Sequence, residues 1–333
     1  MELTTFWFIA IAVLFVGYFV LEGFDFGVGI LLPVLGRDDT GRRVLINTIG
    51  PVWDGNEVWV IAAGGAMFAA FPEWYATVFS GFYLPLLLIL LALIGRGVAF
   101  EYRGKRDDPR WRRRWDRTIV AGSLVPAVLW GVAFGNIVRG VPVDAAGEYA
   151  GTLWTLLNPY ALLAGATTLA LFTLHGAVFL ALKTRGEIRD HANRLARRLG
   201  PVAATLAAAF LAATVATSGV TWPVLALAGA AAAALLGVLF ANHRRREGWA
   251  FTGTAMAIGL AVAALFTALF PDVLPSTLDP AYSLTTTNAS STPYTLRIMS
   301  WVALVFLPLV IGYQAWSYWV FRRRIGVRDI PRG

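Results

Sequence analysis

Residues 50–65 read GPVWDGNEVWVIAAGG and place two carboxyl groups, Asp54 and Glu57, one helical turn apart inside an apolar segment. That segment runs from residue 44 to residue 71, which is long enough for a helix to cross roughly 30 Å of hydrocarbon. Ionisable side chains at such depth are costly and usually face the interior of a helix bundle. The stretch therefore predicts a membrane-spanning helix with inward-facing acids.

The composition of the chain is also that of a membrane protein. Of its 333 residues, 57% are hydrophobic and 14% are charged, whereas roughly 25% of the residues in soluble domains are charged. No charged n-region and cleavage site accompany the first apolar segment, so we expect it to be retained as a helix. The absence of cysteine excludes disulfides and thiolate metal sites. The net charge of +8 lies mostly in loops, so we expect a lipid bilayer and no nucleic acid as partner.

Nine apolar segments have the length of a membrane-spanning helix, and their lack of alternation argues against a β-barrel. The predicted fold class is therefore an all-α integral membrane protein with nine transmembrane helices. The segments cover residues 6–32, 44–71, 75–100, 118–138, 159–182, 199–220, 222–241, 250–270 and 296–321.

Lysine and arginine are distributed unevenly between the connecting loops. The opposite loops hold only Arg139 and Arg297, whereas 25 of the 28 basic residues lie on one side, in residues 36–43, 101–117, 183–198, 243–249 and the tail after residue 321. Cytoplasmic loops carry such an excess of basic residues. The sequence therefore predicts an external N-terminus and a cytoplasmic C-terminus.

The acidic residues within the spans are confined to the first two. A hairpin of these two helices places Glu22 at the depth of Glu57 and Asp25 at the depth of Asp54. Each helix carries its pair at i, i+3, on one face. Four ionised acids facing lipid would cost on the order of 10 kcal/mol, so we expect all four to face inward and some to be protonated. A cluster of this kind is what a proton-conducting chain requires.

Several of these residues have a second interpretation. The acids could form a hydrogen-bonded network with Arg96, Trp53 and Trp59 that only holds the bundle together. Arg96 lies four residues before the end of its span, so snorkelling to the interface and a buried ion pair are both open. His175, the single histidine within a span, is predicted to be a packed, hydrogen-bonded residue rather than a ligand of haem or metal. The glycines at positions 23, 27, 29, 64 and 65 are predicted to form packing faces.

Five motifs carry a resemblance to a known family. Through them the sequence closely resembles subunit II of the cytochrome bd family of terminal quinol oxidases, over essentially the whole chain. The motifs are GFDFGVG (residues 23–29), GPVWDGNEVW (50–59), AGGAMFAAFPEWYATVFSGFY (63–83), GRGVAFEYR (95–103) and PAVLWGVAFGN (126–136).

The resemblance implies a haem-free subunit of a respiratory complex in the bacterial cytoplasmic membrane. The partner, subunit I, would hold haems b and d and the sites for quinol and oxygen, so this chain would have no catalytic or metal-ligating residue. A small accessory subunit is a further possible partner. The implied fold has one four-helix bundle in residues 1–140 and a second, apolar one in 141–271. Residues 272–333 would then supply an external loop, a peripheral ninth helix and a basic cytoplasmic tail.

The resemblance also implies roles for particular residues. Asp54, with Trp53 beside it, would belong to a proton route from the cytoplasm toward the haem-bearing subunit. Glu57, Asp25 and Glu22 are the further acids that we assign to this route. In some members of the family, the positions of Asp25, Trp59 and Arg96 belong to a polar network near a structural quinone.

Two other functions remain open from the residues alone. A proton-coupled secondary transporter would use such acids near the midplane, but it predicts interrupted polar helices in both halves of the chain, whereas the acids here lie in the first third. A purely structural membrane partner needs no exchangeable proton, so neutralising Asp54 distinguishes it from a proton route.

Overall fold

The computed structural model describes residues 2–218 and 221–330, and within them the chain is almost entirely helical. A small antiparallel ladder of β1 (Asp272–Leu274) and β2 (Leu284–Thr285) precedes the last helix. The helices are α1 (Leu3–Leu35), α2 (Asp39–Ile49), α3 (Trp53–Ala70), α4 (Pro72–Gly81), α5 (Tyr83–Tyr102), α6 (Pro109–Arg139), α7 (Pro159–Lys183), α8 (Gly186–Ser218), α9 (Trp222–His243), α10 (Glu247–Leu269) and α11 (Pro293–Val320). The predicted end of the sixth span, Val220, lies outside the described residues.

Polar caps and prolines define where several helices begin. Each of four capping side chains accepts a hydrogen bond from a backbone N–H in the first turn that follows it. In α6, α7 and α11 the cap is followed directly by proline, whose missing N–H has no intrahelical partner at this position. The caps are Asp38 for α2, Asp108 for α6, Asn158 for α7 and Thr292 for α11.

Two of the predicted spans are divided, and a proline accounts for each break. The second span was predicted as one segment, but it consists of α2 and α3 because Pro51 provides no N–H for the carbonyl of Asn47. The third was predicted to begin at Tyr75, but it begins at Tyr83, after the short helix α4. Pro85 likewise leaves the carbonyl of Gly81 without a helical donor. Asp54 therefore lies in the first turn of α3 rather than deep in one continuous helix.

Helix α1 lies at the centre of the molecule and packs against α3, α6, α7 and α10. Its closest approach is to α7, where Gly27 faces Gly176. A Cβ atom at Gly27 would lie 2.7 Å from the Gly176 Cα and would collide with the carbonyl oxygen of Phe172. Gly23 and Gly29 are also tightly packed, which confirms the predicted packing face on α1. Gly64 and Gly65 are not part of such a face, because a Cβ at either would meet no atom within 4 Å.

Among the described residues, eight helices are long and apolar enough to span a membrane: α1 and α5 to α11. Helix α3 is not one of them, although it has 18 residues, because polar residues near its start lower its mean hydropathy. Helix α11 is the most peripheral. It contacts α1 and α3, and most of its large apolar side chains are exposed.

Candidate proton-transfer site

A buried ion pair joins α1 to α5. The Arg96 guanidinium donates a hydrogen bond to the Glu22 carboxylate, and both side chains are fully buried. The Arg96 Nη2 atom also lies 3.6 Å from the Oε2 atom of Glu57, whose side chain is 17% exposed. Arg96 is thus a buried ion-pair partner, and the alternative of snorkelling to the interface is wrong. Because both glutamates meet the same guanidinium, their predicted common depth is confirmed.

The aromatic rings of Phe26 and Phe100 surround the Arg96 guanidinium, with centroids 4.8 Å and 5.8 Å from its Cζ atom. These cation–π contacts add favourable energy for a cation held away from water. The site thus fixes one positive charge between α1, α3 and α5.

A second cluster is centred on Asn56, which connects Asp25 to the last helix. The Asn56 Nδ2 atom donates to the Asp25 Oδ2 atom over 2.7 Å. Its Oδ1 atom accepts from the Tyr318 hydroxyl over 2.7 Å and from the Gln314 Nε2 atom over 3.2 Å. The Trp59 indole N–H donates to the Gln314 Oε1 atom over 2.7 Å. Polar side chains of α11 are thereby hydrogen-bonded to α3, and through Asn56 they reach Asp25 on α1.

Asp54 does not face inward, so the expectation that all four acids point into the bundle is wrong. Its side chain is exposed on the surface of the chain, and it makes no hydrogen bond or ion pair to any other described residue. Val58 and Ile61, one and two turns further along α3, are also exposed, at 47% and 69%. Asp54 consequently begins an otherwise apolar surface of α3.

Trp53 and Trp59 flank the acids on α3 without sharing one site. The Trp53 ring packs on Phe100, with 5.2 Å between ring centroids, and closes the side of the Arg96 cluster. Trp59 belongs instead to the Asn56 cluster.

The two clusters leave several buried polar atoms without a protein partner. Among the described residues, Glu22 Oε2, Asp25 Oδ1, and Arg96 Nε and Nη1 are buried and make no hydrogen bond. Glu22 and Asp25 are one turn apart on α1, so the clusters adjoin. Buried polar atoms are normally satisfied by protein or water. The adjoining clusters can therefore hold further protons or water between the carboxyl groups.

His175 is packed and hydrogen-bonded, as predicted. Its Nδ1 atom lies 2.6 Å from the Thr254 hydroxyl, and its Nε2 atom lies 3.1 Å from the carbonyl oxygen of Val20. Its ring is stacked on Phe251, with 4.8 Å between centroids. Both ring nitrogens therefore already have partners within the chain. No group of three potential metal ligands occurs within residues 2–218 and 221–330.

An apolar groove of about 540 Å³ lies between α3 and α5, lined by residues such as Ile61, Phe68 and Leu90. None of the residues that the sequence associated with a quinone, namely Asp25, Trp59 and Arg96, lines it. Asp25 and Arg96 are fully buried within the chain. The three residues are thus divided between two hydrogen-bonded clusters and are not walls of one described pocket.

The structure adds Asn56, Gln314 and Tyr318 to the residues that the sequence predicted. Asn56 lies within the stretch that drew attention to Asp54 and Glu57, but an amide between two acids gave no signal of its own. Gln314 and Tyr318 are spaced i, i+4 in the last apolar span, which puts them on one face. The amide of Gln314, within an apolar span, was the one signal available, because a buried amide needs a hydrogen-bond partner on another helix.

Comparison with known proteins agrees on one family. The profile described as "Cytochrome bd terminal oxidase subunit II" matches residues 3–321. The chain is 44% identical over 330 residues to the cytochrome bd ubiquinol oxidase subunit 2 of Bacillus subtilis (strain 168), with 97% of each chain covered. It is 37% identical over 365 residues to the cytochrome bd-I ubiquinol oxidase subunit 2 of Escherichia coli (strain K12), with 98% of this chain and 96% of that protein covered.

A solved structure supports the same architecture. The bd oxidase from Geobacillus thermodenitrificans contains a chain that superposes with a TM-score of 0.80, covering 96% of this chain and 99% of that chain. The sequence identity in this alignment is 17%, so the match concerns the fold. With the family profile and the relatives spanning nearly the whole sequence, the chain belongs to the family of cytochrome bd terminal oxidase subunit II.

Proposed function

We propose that this chain scaffolds a haem-bearing subunit I and supplies a proton route to oxygen reduction. As a member of its family it is one subunit of a quinol oxidase complex, which oxidises quinol and reduces oxygen to water. It is a multi-pass protein of the bacterial inner membrane, in agreement with its eight apolar helices. The proton route is supported by one observation above all: Asp54 is an exposed acid at the start of an otherwise apolar helix surface.

An exposed acid at the start of an apolar helix surface, in a membrane protein, requires a partner that covers it. Facing lipid, a charged side chain costs about 2.5–3.5 kcal/mol or more, depending on its depth. A second protein chain that covers the Asp54 surface of α3 removes this cost if it offers water or polar groups. We assign this role to subunit I. Asp54 then lies at the interface between the subunits, where a proton can pass from one chain to the other.

The neighbouring acids extend the route into this chain. Glu57 is one turn from Asp54 and half-buried, and it reaches Arg96, which is paired with Glu22. Three carboxyl groups, those of Glu22, Asp25 and Glu57, lie near one guanidinium, so full ionisation would bury an excess of negative charge. A cluster with this imbalance can take up and release protons. Trp53 shields it from the side of α5.

We further propose that the chain crosses the membrane nine times, because α3 spans it in addition to the eight apolar helices. The N-terminus would be external and the C-terminus cytoplasmic. The distribution of lysine and arginine supports this orientation. Protons would then come from the cytoplasm, whereas quinol oxidation on the external side would release its protons outside. Charge separation follows without a pump. The same proposal includes two four-helix bundles, in residues 1–140 and 141–271. Residues 272–333 would form an external loop, a peripheral last helix and a basic cytoplasmic tail.

The cytochrome bd family implies haems in the complex, and we assign haems b and d to subunit I. In support of this assignment, both ring nitrogens of His175 already have hydrogen-bond partners within the chain, and the sequence contains no cysteine. A structural quinone near Asp25, Trp59 and Arg96 and a small accessory subunit stay predictions. Quinone extraction and the identity of co-purifying chains test them.

The deciding test neutralises Asp54 in the assembled oxidase. Asp54→Asn keeps size and hydrogen bonding but removes the exchangeable acid, so we expect a complex with normal haem content and at least a tenfold loss of oxygen consumption per haem. Asp54→Glu should retain more activity than Asp54→Asn. Glu73→Gln, which neutralises another exposed acid on α4, serves as the control and should keep wild-type turnover.

The same experiment distinguishes the alternatives. If Asp54 only packs the subunits together, activity will fall in parallel with assembled haem, and Asp54→Asn will be milder than Asp54→Glu. Near-normal turnover per haem in Asp54→Asn would exclude an essential proton role at this position. A transporter would show Asp54-dependent solute uptake in the absence of oxygen consumption.

A further inference from the structure

A second groove lies on the arginine-rich side of the molecule, between the end of α1 and the beginning of α6. Its volume is about 430 Å³. Leu32 and Pro33 of α1 and Val120, Ala121 and Leu124 of α6 line its apolar part. Arg42, Arg113 and Arg117 line its other end, together with Asp116. The groove therefore combines an apolar channel with a cationic end.

The arginines at this end are not equivalent. Arg42 donates to Asp116 over 2.8 Å, and Asp116 also accepts from Arg103 over 2.5 Å, so this aspartate is already neutralised by two partners. Arg113 and Arg117 are exposed, and neither side chain makes an ion pair or hydrogen bond with a described residue. They are spaced i, i+4 and thus lie on one face of α6. Two positive charges that have no partner within residues 2–218 and 221–330 consequently lie together at the mouth of the groove.

The position along α6 sets these charges at the level of lipid headgroups. Arg117 directly precedes Thr118, where the apolar part of α6 begins. Leu124 lies seven residues further along, roughly 10 Å deeper at the helical rise. Trp111 and Trp115, on the first turns of α6, mark the same level, because tryptophan is enriched at membrane interfaces. The apolar part of the groove thus extends from the headgroup region into the hydrocarbon.

We propose that this groove binds an anionic phospholipid of the leaflet on the arginine-rich side. Its phosphate is held by Arg113 and Arg117, and one acyl chain lies along Val120, Ala121 and Leu124. Charge complementarity selects an anionic headgroup over a zwitterionic one, since basic pockets between membrane helices favour anionic lipids. The apolar length of the groove selects a lipid over a free phosphate ion. This site is separate from the acids of α1 and α3 and does not depend on their proposed role.

The test is native mass spectrometry of the purified oxidase complex, delipidated and titrated with phosphatidylglycerol or with phosphatidylcholine of the same acyl chains. Wild-type complex should bind phosphatidylglycerol preferentially. Arg113→Gln/Arg117→Gln should weaken the tightest phosphatidylglycerol site by about thirtyfold, because each arginine near a headgroup contributes a small, additive attraction. Ala121→Phe keeps both charges but fills the groove, and it should lose the same site.

Arg194→Gln/Arg198→Gln provides the matched control. These two arginines are exposed on α8, are also spaced i, i+4, lie on the same side of the molecule and have no partner among the described residues. Haem content normalises each variant for assembly. Equal loss in both double variants would reduce the effect to general surface charge and overturn the proposal. Retention of the site in Ala121→Phe would overturn it as well, since a phosphate held at the surface needs no groove.

Discussion

Arg96 provides the positive charge for a group of acids that would otherwise be unbalanced. Its side chain is fully buried, it is paired with Glu22, and Glu57 lies 3.6 Å away. A buried ion pair is not in itself a source of stability, because desolvation of both charges offsets their attraction. Removing one partner is a different matter, since the remaining charge is then buried without compensation.

We therefore expect Arg96→Met to destabilise the chain by about 3–5 kcal/mol, enough to prevent accumulation of the oxidase in membranes. Combining Arg96→Met with Glu22→Gln should restore part of the complex, because no lone carboxylate is left in the pair. Haem absorbance per milligram of membrane protein measures the effect. Arg114→Met, at an exposed position of α6, is the control. Wild-type amounts of the Arg96→Met complex would contradict the buried pair.

Asn56 is the second residue on which the site depends, because it is hydrogen-bonded both to Asp25 on α1 and to Gln314 and Tyr318 on α11. Tyr318→Phe removes the hydroxyl that donates to the Asn56 Oδ1 atom and leaves the ring in place. We expect a loss of about 1 kcal/mol, visible as a lower thermal midpoint of the complex, with Asn56 retaining its bond to Asp25. Tyr313→Phe, on the same helix but 69% exposed, should leave the midpoint unchanged. Equal shifts in both variants would show that the hydroxyl of Tyr318 is not the cause.

At this scale the sequence was informative about which residue types matter and less so about where they point. Glu22 and Asp25 could be placed in the interior because an uncompensated charge in lipid is costly, whereas for Arg96 a buried ion pair and snorkelling to the interface stayed open. The same reasoning misplaced Asp54, since it assumed that this chain buries all its acids by itself. The sequence could not predict the hydrogen bonds of Asn56 with Gln314 and Tyr318, because these contacts depend on how α11 packs against α3.

Among the helices, α1 and α7 have the least tolerance for added atoms. The Gly27 backbone lies directly against the Gly176 backbone, which fixes both helices at a short separation. Backbone atoms cannot move aside as flexible side chains do. A methyl group at this crossing must therefore separate the two helices along their length.

Gly27→Ala and Gly176→Ala should each destabilise the chain by about 1–3 kcal/mol, the typical range for overpacking. Gly64→Ala provides the control, because a Cβ at that position meets no atom within 4 Å. The amount of assembled oxidase after mild heating of membranes distinguishes the three variants. If Gly64→Ala proved as harmful as Gly27→Ala, the loss of glycine itself rather than the helix crossing would be responsible.

The elements were predictable wherever hydropathy and caps agreed. Each of the long helices from α6 to α11 overlaps one predicted apolar segment, although α6 and α8 begin earlier, at Pro109 and Gly186, because polar residues extend each helix on the arginine-rich side. The second and third spans were predicted without their breaks, because apolar character continues across Pro51 and Pro85 while helical hydrogen bonding does not. Hydropathy reports burial in lipid, and only the missing donors report where a helix is interrupted.

For the molecule as a whole, the uneven distribution of lysine and arginine makes the orientation testable. Reporter fusions after residue 110 and after residue 190 should be active in the cytoplasm, and a fusion near residue 285 should be active outside. Paired reporters that are active on opposite sides give the measurement. The reverse pattern would place the arginine-rich loops outside and would leave the proton route without its cytoplasmic source.

The low apolarity of α3 bears on how the nascent chain enters the bilayer. When α3 emerges from the ribosome, Asp54, Asn56 and Glu57 oppose its release from the translocon into lipid. Arg96, the cation that balances this region, lies in α5 and is synthesised about 40 residues later. We expect α3 to remain at the translocon until α5 has been synthesised. Both helices would then enter the bilayer packed against α1. In a glycosylation-mapping assay, chains stalled before residue 96 should show α3 uninserted, and longer chains should show it inserted; biogenesis of this subunit thus depends on an encounter between helices that are not neighbours in the chain.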